Sequence, residues 1–282
     1  MPKLAVLGQP VSHSRSPAMQ NAALAELGLA PEWSYEAIEV APAEFAALVA
    51  ELARGGDFAG VNVTLPHKLA ALALAHEASP AARAIGAANT LTFRDGRVHA
   101  ENTDTAGVLD SLPTSPAGKR ALVMGAGGSA RAAIWALKNA GAEVCVWNRT
   151  GEKAAALAEE FGVEHAAGGA QHADGSAACD LLVNATTVGL ASANEGQPSP
   201  ESGFPDLKDL PIEADAIRAE VVLDLVYGSQ ETQLIAAARA AGATPVDGLE
   251  VLVRQGAASL RLWTAAEPPI EAMRAAARAG IG

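Results

Sequence analysis

Short apolar runs alternate with amphipathic stretches over the first hundred residues, and the hydrophobic period switches between that of a strand and that of a helix. The pattern predicts a strand at 3–8, a helix at 17–28, a strand at 33–40, a helix at 42–54, a strand at 58–63 and a helix at 66–75. A short helix is expected at 80–86. Ala88 to Phe93 and Val98 to Glu101 flank Asp95-Gly96, the dipeptide of a tight hairpin, which adds antiparallel strands to a mostly parallel sheet. After a helix at 105–111, Pro113, Pro116 and Gly118 interrupt the pattern. A second series follows: strand 120–124, helix 129–140, strand 143–147, helix 151–161, strands 179–184 and 220–226, and helices near 231–241, 248–263 and 268–279. Residues 190–212, rich in Pro, Ser, Gly and acids, read as a long surface loop. The class is α/β in two units, with a boundary near Asp104 and a doubly wound second half.

The second series opens on Arg120-Ala-Leu-Val-Met-Gly-Ala-Gly-Gly-Ser-Ala-Arg131. Ala121 to Met124 suit a central parallel strand, and Gly125, Gly127 and Gly128 permit a tight turn with close backbone approach to a phosphate. A helix from Ser129 would aim its N-terminus at a pyrophosphate. With Ala130 in last place this is the looser G-x-G-x-x-G/A dinucleotide fingerprint; an ordinary strand-helix turn is the alternative. About 20 residues on, after Glu143 to Trp147, stand Asn148-Arg149-Thr150. An acidic residue there would suit the ribose 2'-hydroxyl of NAD. Arg149, with Thr150 and Lys153, instead suits a 2'-phosphate, so NADP is expected unless Arg149 is a solvated surface charge.

Composition narrows the field. The 282 residues can fill two cores, and a formal net charge of −12, from 20 Lys and Arg against 32 Asp and Glu, argues against nucleic acid or an anionic membrane surface. Cys145 and Cys179 each sit inside an apolar segment, so neither a disulfide framework nor a metal site is expected. No stretch approaches the roughly 18 apolar residues of a membrane helix, and the chain begins on a strand-like run, Lys3 to Leu7, so a soluble cytoplasmic protein is expected.

Three clusters carry candidate chemistry. Ser14-Arg15-Ser16-Pro17 precedes an amphipathic run; Ser16 suits an N-cap with Pro17 at the first helical position, and two hydroxyls there also suit a carboxylate. Asn62-Val-Thr-Leu-Pro-His-Lys68 ends a strand and enters a helix, placing Lys68 in the first turn, where it opposes the helix dipole. That placement points to proton exchange with an alcohol or carbonyl; an exposed helix-end lysine is the plainer reading. Asn89-Thr90 and Asn102-Thr103-Asp104 lie at opposite ends of the predicted hairpin. Asp104 suits an N-cap, and it also falls at the domain join, where a carboxylate beside Lys68 could hold its ammonium.

In order, Ser14-Arg-Ser-Pro17, Asn62 to Lys68, Gly86-Ala-Ala-Asn-Thr90, Asn102-Thr-Asp-Thr-Ala-Gly107, Gly125 to Arg131, Asn148-Arg-Thr150 and Asn184-Ala-Thr-Thr-Val-Gly189 closely resemble the shikimate dehydrogenase family. Leu252-Val-Arg-Gln-Gly256 resembles that family's C-terminal glutamine segment. The resemblance implies an N-terminal α/β substrate domain, 1–104 with 247–282, and a doubly wound Rossmann NADP-binding domain, 105–246, with a cleft between them. It implies reversible NADPH-dependent reduction of 3-dehydroshikimate to shikimate, a step of aromatic amino acid biosynthesis. Ser14, Ser16 and Tyr227 match positions that hold the carboxylate. Thr64, Lys68, Asn89, Asp104 and Gln255 match those around the ring hydroxyls and reacting carbonyl, with Lys68 and Asp104 as the catalytic pair. For NADP(H) the matching positions are Gly125, Ala126, Gly127, Gly128, Ser129, Ala130, Asn148, Arg149, Thr150, Lys153, Thr186 and Gly248. The expected partners are a small-molecule substrate and, at most, a second copy of the chain: a monomer or homodimer, with neither nucleic acid nor membrane.

Two departures stand out. Tyr227-Gly-Ser-Gln-Glu-Thr232 lacks the prolines usual around that threonine, and 190–212 is longer than the family leads one to expect. Broader scope, including quinate, is one alternative. A catalytically silent NADPH-binding regulator is another, against which Lys68 and Asp104 both stand. Glutamyl-tRNA reductase would need an N-terminal catalytic cysteine, and the first 144 residues contain none.

Overall fold

The computed structural model describes residues 2–166, 179–190, 207–212, 217–228 and 230–279. They form two compact units, one of Met1–Gly107 with Leu252–Gly280 and one of Val108–Val251.

The first unit runs β1 (Lys3–Gly8), α1 (Ser16–Glu26), β2 (Ser34–Glu39), α2 (Phe45–Gly55), β3 (Phe58–Val63), α3 (Lys68–Ala73), β4 (Glu77–Ala78), α4 (Pro80–Ile85), β5 (Thr90–Arg94) and β6 (Arg97–Glu101). Its sheet has the order β2-β1-β3-β5-β6-β4. β1 is parallel to β2 and β3; β5 and β6 pair antiparallel, as the Asp95-Gly96 turn requires, and β5 joins the sheet antiparallel to β3. Leu7, Val61, Val63 and Leu91 bury one face of this sheet in a core shared with Phe45 and Val49 of α2. Each such side chain stabilises the unit by about 1.5 to 3 kcal/mol relative to exposure.

Two boundaries move for local reasons. The helix predicted from residue 66 begins at Lys68, because His67 N–H closes a turn on the Thr64 carbonyl (2.9 Å) and the first helical bond runs from Ala71 to His67. The strand predicted from Ala88 begins at Thr90, because Ala88 N–H bonds the Lys68 carbonyl instead of the sheet (2.9 Å).

The second unit runs β7 (Arg120–Met124), α6 (Gly128–Asn139), β8 (Glu143–Trp147), α7 (Gly151–Phe161), β9 (Glu164–His165), β10 (Leu181–Asn184), a 3-10 turn (Leu207–Asp209), β11 (Val221–Asp224), α8 (Gln233–Ala240) and β12 (Thr244–Val246). The order β12-β11-β10-β7-β8-β9 is parallel throughout, and its direction of winding reverses between β7 and β10. This is the doubly wound arrangement, whose ligand crevice opens at that switch point. Most of the 190–212 stretch lies outside the described residues.

The chain passes between units inside two helices, α5 (Asp104–Ser111) and α9 (Gly248–Thr264). A last helix, α10 (Ile270–Arg278), packs against α1 in the first unit. No helix among the described residues is long and apolar enough to cross a membrane.

Candidate active site

In the first unit the motifs around Lys68, Asn89, Asp104 and Gln255 converge just past the carboxyl end of β3. Lys68 opens α3, and its ammonium donates to Asp104 Oδ2. The side chains of the pair are 11% and 14% exposed, so both charges are largely withdrawn from water and depend on each other and on their hydrogen bonds. Asp104 Oδ1 accepts from Asn89 Nδ2 at 2.8 Å, and the same amide donates to Gln255 Oε1 at 3.1 Å. Gln255 in turn donates to the Leu252 carbonyl (2.9 Å). Backbone bonds fix this group in register: Ala88 N–H to the Lys68 carbonyl, Val63 N–H to the Asn89 carbonyl and Asn89 N–H to the Glu101 carbonyl. Asn89 and Asp104, far apart along the hairpin sequence, are neighbours in space, because the two outer ends of an antiparallel hairpin meet.

Two capping expectations are corrected. Asp104 does not cap α5; Asn102 Oδ1 accepts its N–H (3.2 Å), which leaves both Asp104 oxygens for Lys68 and Asn89. At α1 the cap position is Arg15, without a side-chain cap bond, and Ser16 is the first helical residue, which moves Pro17 to the second. Ser14, one residue before the cap position, accepts from Ser16 N–H at 3.2 Å through its hydroxyl oxygen. Thr64 is half-buried at the end of β3, its N–H on the Leu7 carbonyl (2.9 Å) and its methyl over Gly8.

The second unit carries the glycine turn at its switch point. Gly125 has φ +125°, and a Cβ there would stand 2.7 Å from the Ala185 carbonyl oxygen, so both backbone and space demand glycine. Gly127 differs: a Cβ would meet nothing within 4 Å, so the chain's own packing does not call for glycine, whereas close approach of a phosphate would. Gly127 stands at the cap position of α6 without a side-chain bond, and a helix N-terminus of this kind favours an anion. Thr150 holds the same place at α7, again without a side-chain cap bond; Asn148 Nδ2 donates to its carbonyl (3.1 Å), and Arg149 and Lys153 are exposed beside it. These residues fit a dinucleotide with a 2'-phosphate.

Other expected cofactor positions have structural duties. The Thr186 hydroxyl donates to Asn184 Oδ1 (2.6 Å) and accepts from Val188 N–H (3.0 Å), shaping the turn that Gly125 packs on. Gly248 starts α9 so close to β11's exit that a Cβ would lie 2.6 Å from the Val226 carbonyl oxygen. Tyr227 belongs to this unit, three residues past β11.

One buried carboxylate, Asp224, is not among the residues singled out from the sequence. Asp224 is fully buried at the end of β11, and burial pushes its pKa up to about 6 against hydrogen bonds from Thr232 Oγ1 (2.6 Å), Val226 N–H (3.1 Å) and Asn184 Nδ2 (2.8 Å). It ties the Asn184 turn to the start of α8; an acid inside the run Val-Val-Leu-Asp-Leu-Val was the available signal. Cys145 and Cys179 are buried, with thiol pKa values raised to about 11 and about 12 chiefly by desolvation, and so are poor nucleophiles. Among the described residues no group of three His, Cys, Asp or Glu is placed to hold a metal ion.

Three family descriptions match in succession: "Shikimate dehydrogenase substrate binding domain" over residues 6–91, "Shikimate / quinate 5-dehydrogenase" over 110–192 and "Shikimate 5'-dehydrogenase C-terminal domain" over 248–278. A shikimate dehydrogenase (NADP+) of Thermus thermophilus is 43% identical over 284 residues, covering 100% of both chains. One of Acidiphilium cryptum is 41% identical, covering 94% of this chain and 91% of its own. A crystal structure of the Thermus thermophilus shikimate 5-dehydrogenase in complex with NADP(H) and shikimate superposes with a TM-score of 0.82 at 42% identity, covering 99% of each chain. The chain belongs to the shikimate dehydrogenase family.

Proposed function

We propose that this protein interconverts 3-dehydroshikimate and shikimate with NADP(H), that unit 1 takes the substrate and unit 2 the cofactor, and that Lys68 and Asp104 are the catalytic pair. The observation that carries the mechanism is the withdrawn Lys68-Asp104 pair braced by Asn89 and Gln255. The glycine turn, Asn148, Arg149, Thr150 and Lys153 would hold NADP(H), which when bound would supply or accept a hydride at the oxygen-bearing carbon.

In the reducing direction the Lys68 ammonium gives a proton to the carbonyl oxygen as negative charge develops there, and the product leaves with a hydroxyl. In the oxidising direction the neutral amine takes that hydroxyl proton. Asp104 keeps the amine in place and accepts from Asn89, which holds the carboxylate plane fixed as the charge on Lys68 changes. Positioning and proton transfer thus share the work. Gln255 and Thr64 face the ring hydroxyls in this reading. The Ser14 oxygen accepts from Ser16 N–H, so its hydroxyl hydrogen is available to the substrate carboxylate.

Thermal unfolding tests the substrate assignment. Shikimate should raise the melting temperature by mass action, and Ser14→Ala, compared with its own ligand-free value, should need about tenfold more shikimate for the same rise, as fits loss of one hydrogen bond to a charged group. A protein that is stabilised by NADP but not by shikimate at any concentration would contradict the assignment.

A further inference from the structure

Behind Asn89 lies a sealed polar cluster that the proposed reaction does not by itself require. Thr90, Thr103 and Ser259 bring three hydroxyls together, with Thr90 and Thr103 Oγ1 3.0 Å apart and each 2.9 Å from Ser259 Oγ. All three residues are buried, as are Asn62 and Tyr35 beside them. Polar groups held this far from water are costly unless every donor and acceptor is used, so their directions can be worked out.

Backbone groups fix those directions. Asn62 lies 3.2 Å from the Asn89 carbonyl oxygen, which can only accept, so the amide nitrogen of Asn62 faces the cluster and its oxygen faces Tyr35, whose hydroxyl donates to it at 2.8 Å. Asn62 Nδ2 also reaches Ser259 Oγ (2.9 Å) and Thr90 Oγ1 (3.1 Å), so hydrogens enter the cluster from Asn62. At the other side Thr103 N–H, which can only donate, points at Asn89 Oδ1 from 2.7 Å; Asn89 therefore turns its oxygen to the cluster and its nitrogen to Asp104 and Gln255. The outlets for the hydroxyl hydrogens are Asn89 Oδ1, 3.1 Å from both threonine oxygens, and the Gln255 carbonyl, 3.1 Å from Ser259 Oγ.

We infer that Thr90 and Thr103 are positioning residues: the relay Tyr35 to Asn62, through the threonine hydroxyls to Asn89 and on to Asp104, has a single sense and locks Asn89 so that it always presents a donor to the Asp104 carboxylate. Thr103 N–H also holds the Asn89 oxygen and survives loss of the hydroxyls, so without them one bond to that oxygen is left where there were three; an amide so weakly held turns more readily, and a flip would bring its oxygen against Asp104, repel the carboxylate and misplace the group that holds Lys68. The inference rests on the reading of Lys68 and Asp104 as the catalytic pair.

The test replaces both threonines together, since either can serve Asn89 alone. Thr90→Val/Thr103→Val removes the hydroxyls and nearly keeps the shape; Thr90→Ser/Thr103→Ser keeps the hydroxyls and loses two methyl groups. The valine pair should lower kcat for shikimate oxidation roughly tenfold with little change in KM for NADP, while the serine pair stays within about threefold of wild type. In an Asn89→Ala background the valine pair should cause no further loss, because the relay then has no Asn89 to hold. Equal losses from the serine and valine pairs would mean that packing is what matters, and full activity of a folded valine pair would equally overturn the inference. Should the valine pair fail to fold, Thr90→Ala/Thr103→Ala against the serine pair applies the same criterion, because alanine and serine differ only in the hydroxyl. A Lys68→Ala control separates the two readings: if it keeps wild-type activity, the catalytic pair is wrong, whereas an inactive Lys68→Ala beside a fully active valine pair overturns the relay alone.

Discussion

Replacing Lys68 with alanine should lower kcat by about 10²- to 10⁴-fold, with a much smaller change in KM for shikimate. The size follows from the proposed role of Lys68 as the proton donor to the reacting oxygen. The direction follows from the proposed site: Ser14, Asn89 and Gln255, the substrate ligands of that proposal, are left in place, so ground-state affinity has little reason to fall. The substitution also leaves the Asp104 carboxylate, 14% exposed, with Asn89 as its remaining side-chain hydrogen-bond partner among the described residues, so the melting temperature should fall as well. Lys68→Met retains the aliphatic stem and should lose as much kcat. Steady-state kinetics on folded variants decides the matter: kcat within a few-fold of wild type would remove Lys68 from the chemistry.

Arg149→Ala should reduce kcat/KM for NADP by roughly 10- to 100-fold while changing the value for NAD by less than about threefold. One guanidinium bonded to a phosphate is worth about 1.5 to 3 kcal/mol, and NAD has no 2'-phosphate to lose. Because Arg149 is exposed at the start of α7, its contribution is open to screening, so the wild-type preference for NADP should itself narrow as ionic strength rises. Kinetics with both cofactors at low and high salt measure this. Equal losses with NADP and NAD would instead place Arg149 in the support of the loop.

The sequence disclosed most of the fold because nearly every element that builds the two sheets carries its own periodic signal. The elements it missed are short: β4 and β9 have two residues each and β12 three, too few to show a period, and pairing with a neighbour defines them. At the site, residue types were legible and partnerships were not. Nothing in the order of residues says that Asn102 accepts the N–H of Asp104 at the start of α5, or that Ser14 accepts that of Ser16 at the start of α1, since all four are good capping residues and the outcome depends on where the chain turns. The hydroxyl cluster was still less visible. Thr90, Thr103 and Ser259 come from a strand, a loop and a distant helix, and only Asn62, a polar residue inside the buried run of β3, hinted that something polar waited behind the sheet.

The measurement that tests the central claim most directly is the oxidation of shikimate by the purified wild-type protein with NADP, set beside shikimate with NAD and quinate with either cofactor. Shikimate with NADP should give the highest kcat/KM, exceeding shikimate with NAD by at least about tenfold, in line with one charge-assisted contact to the 2'-phosphate. No turnover in any of the four combinations would contradict the account.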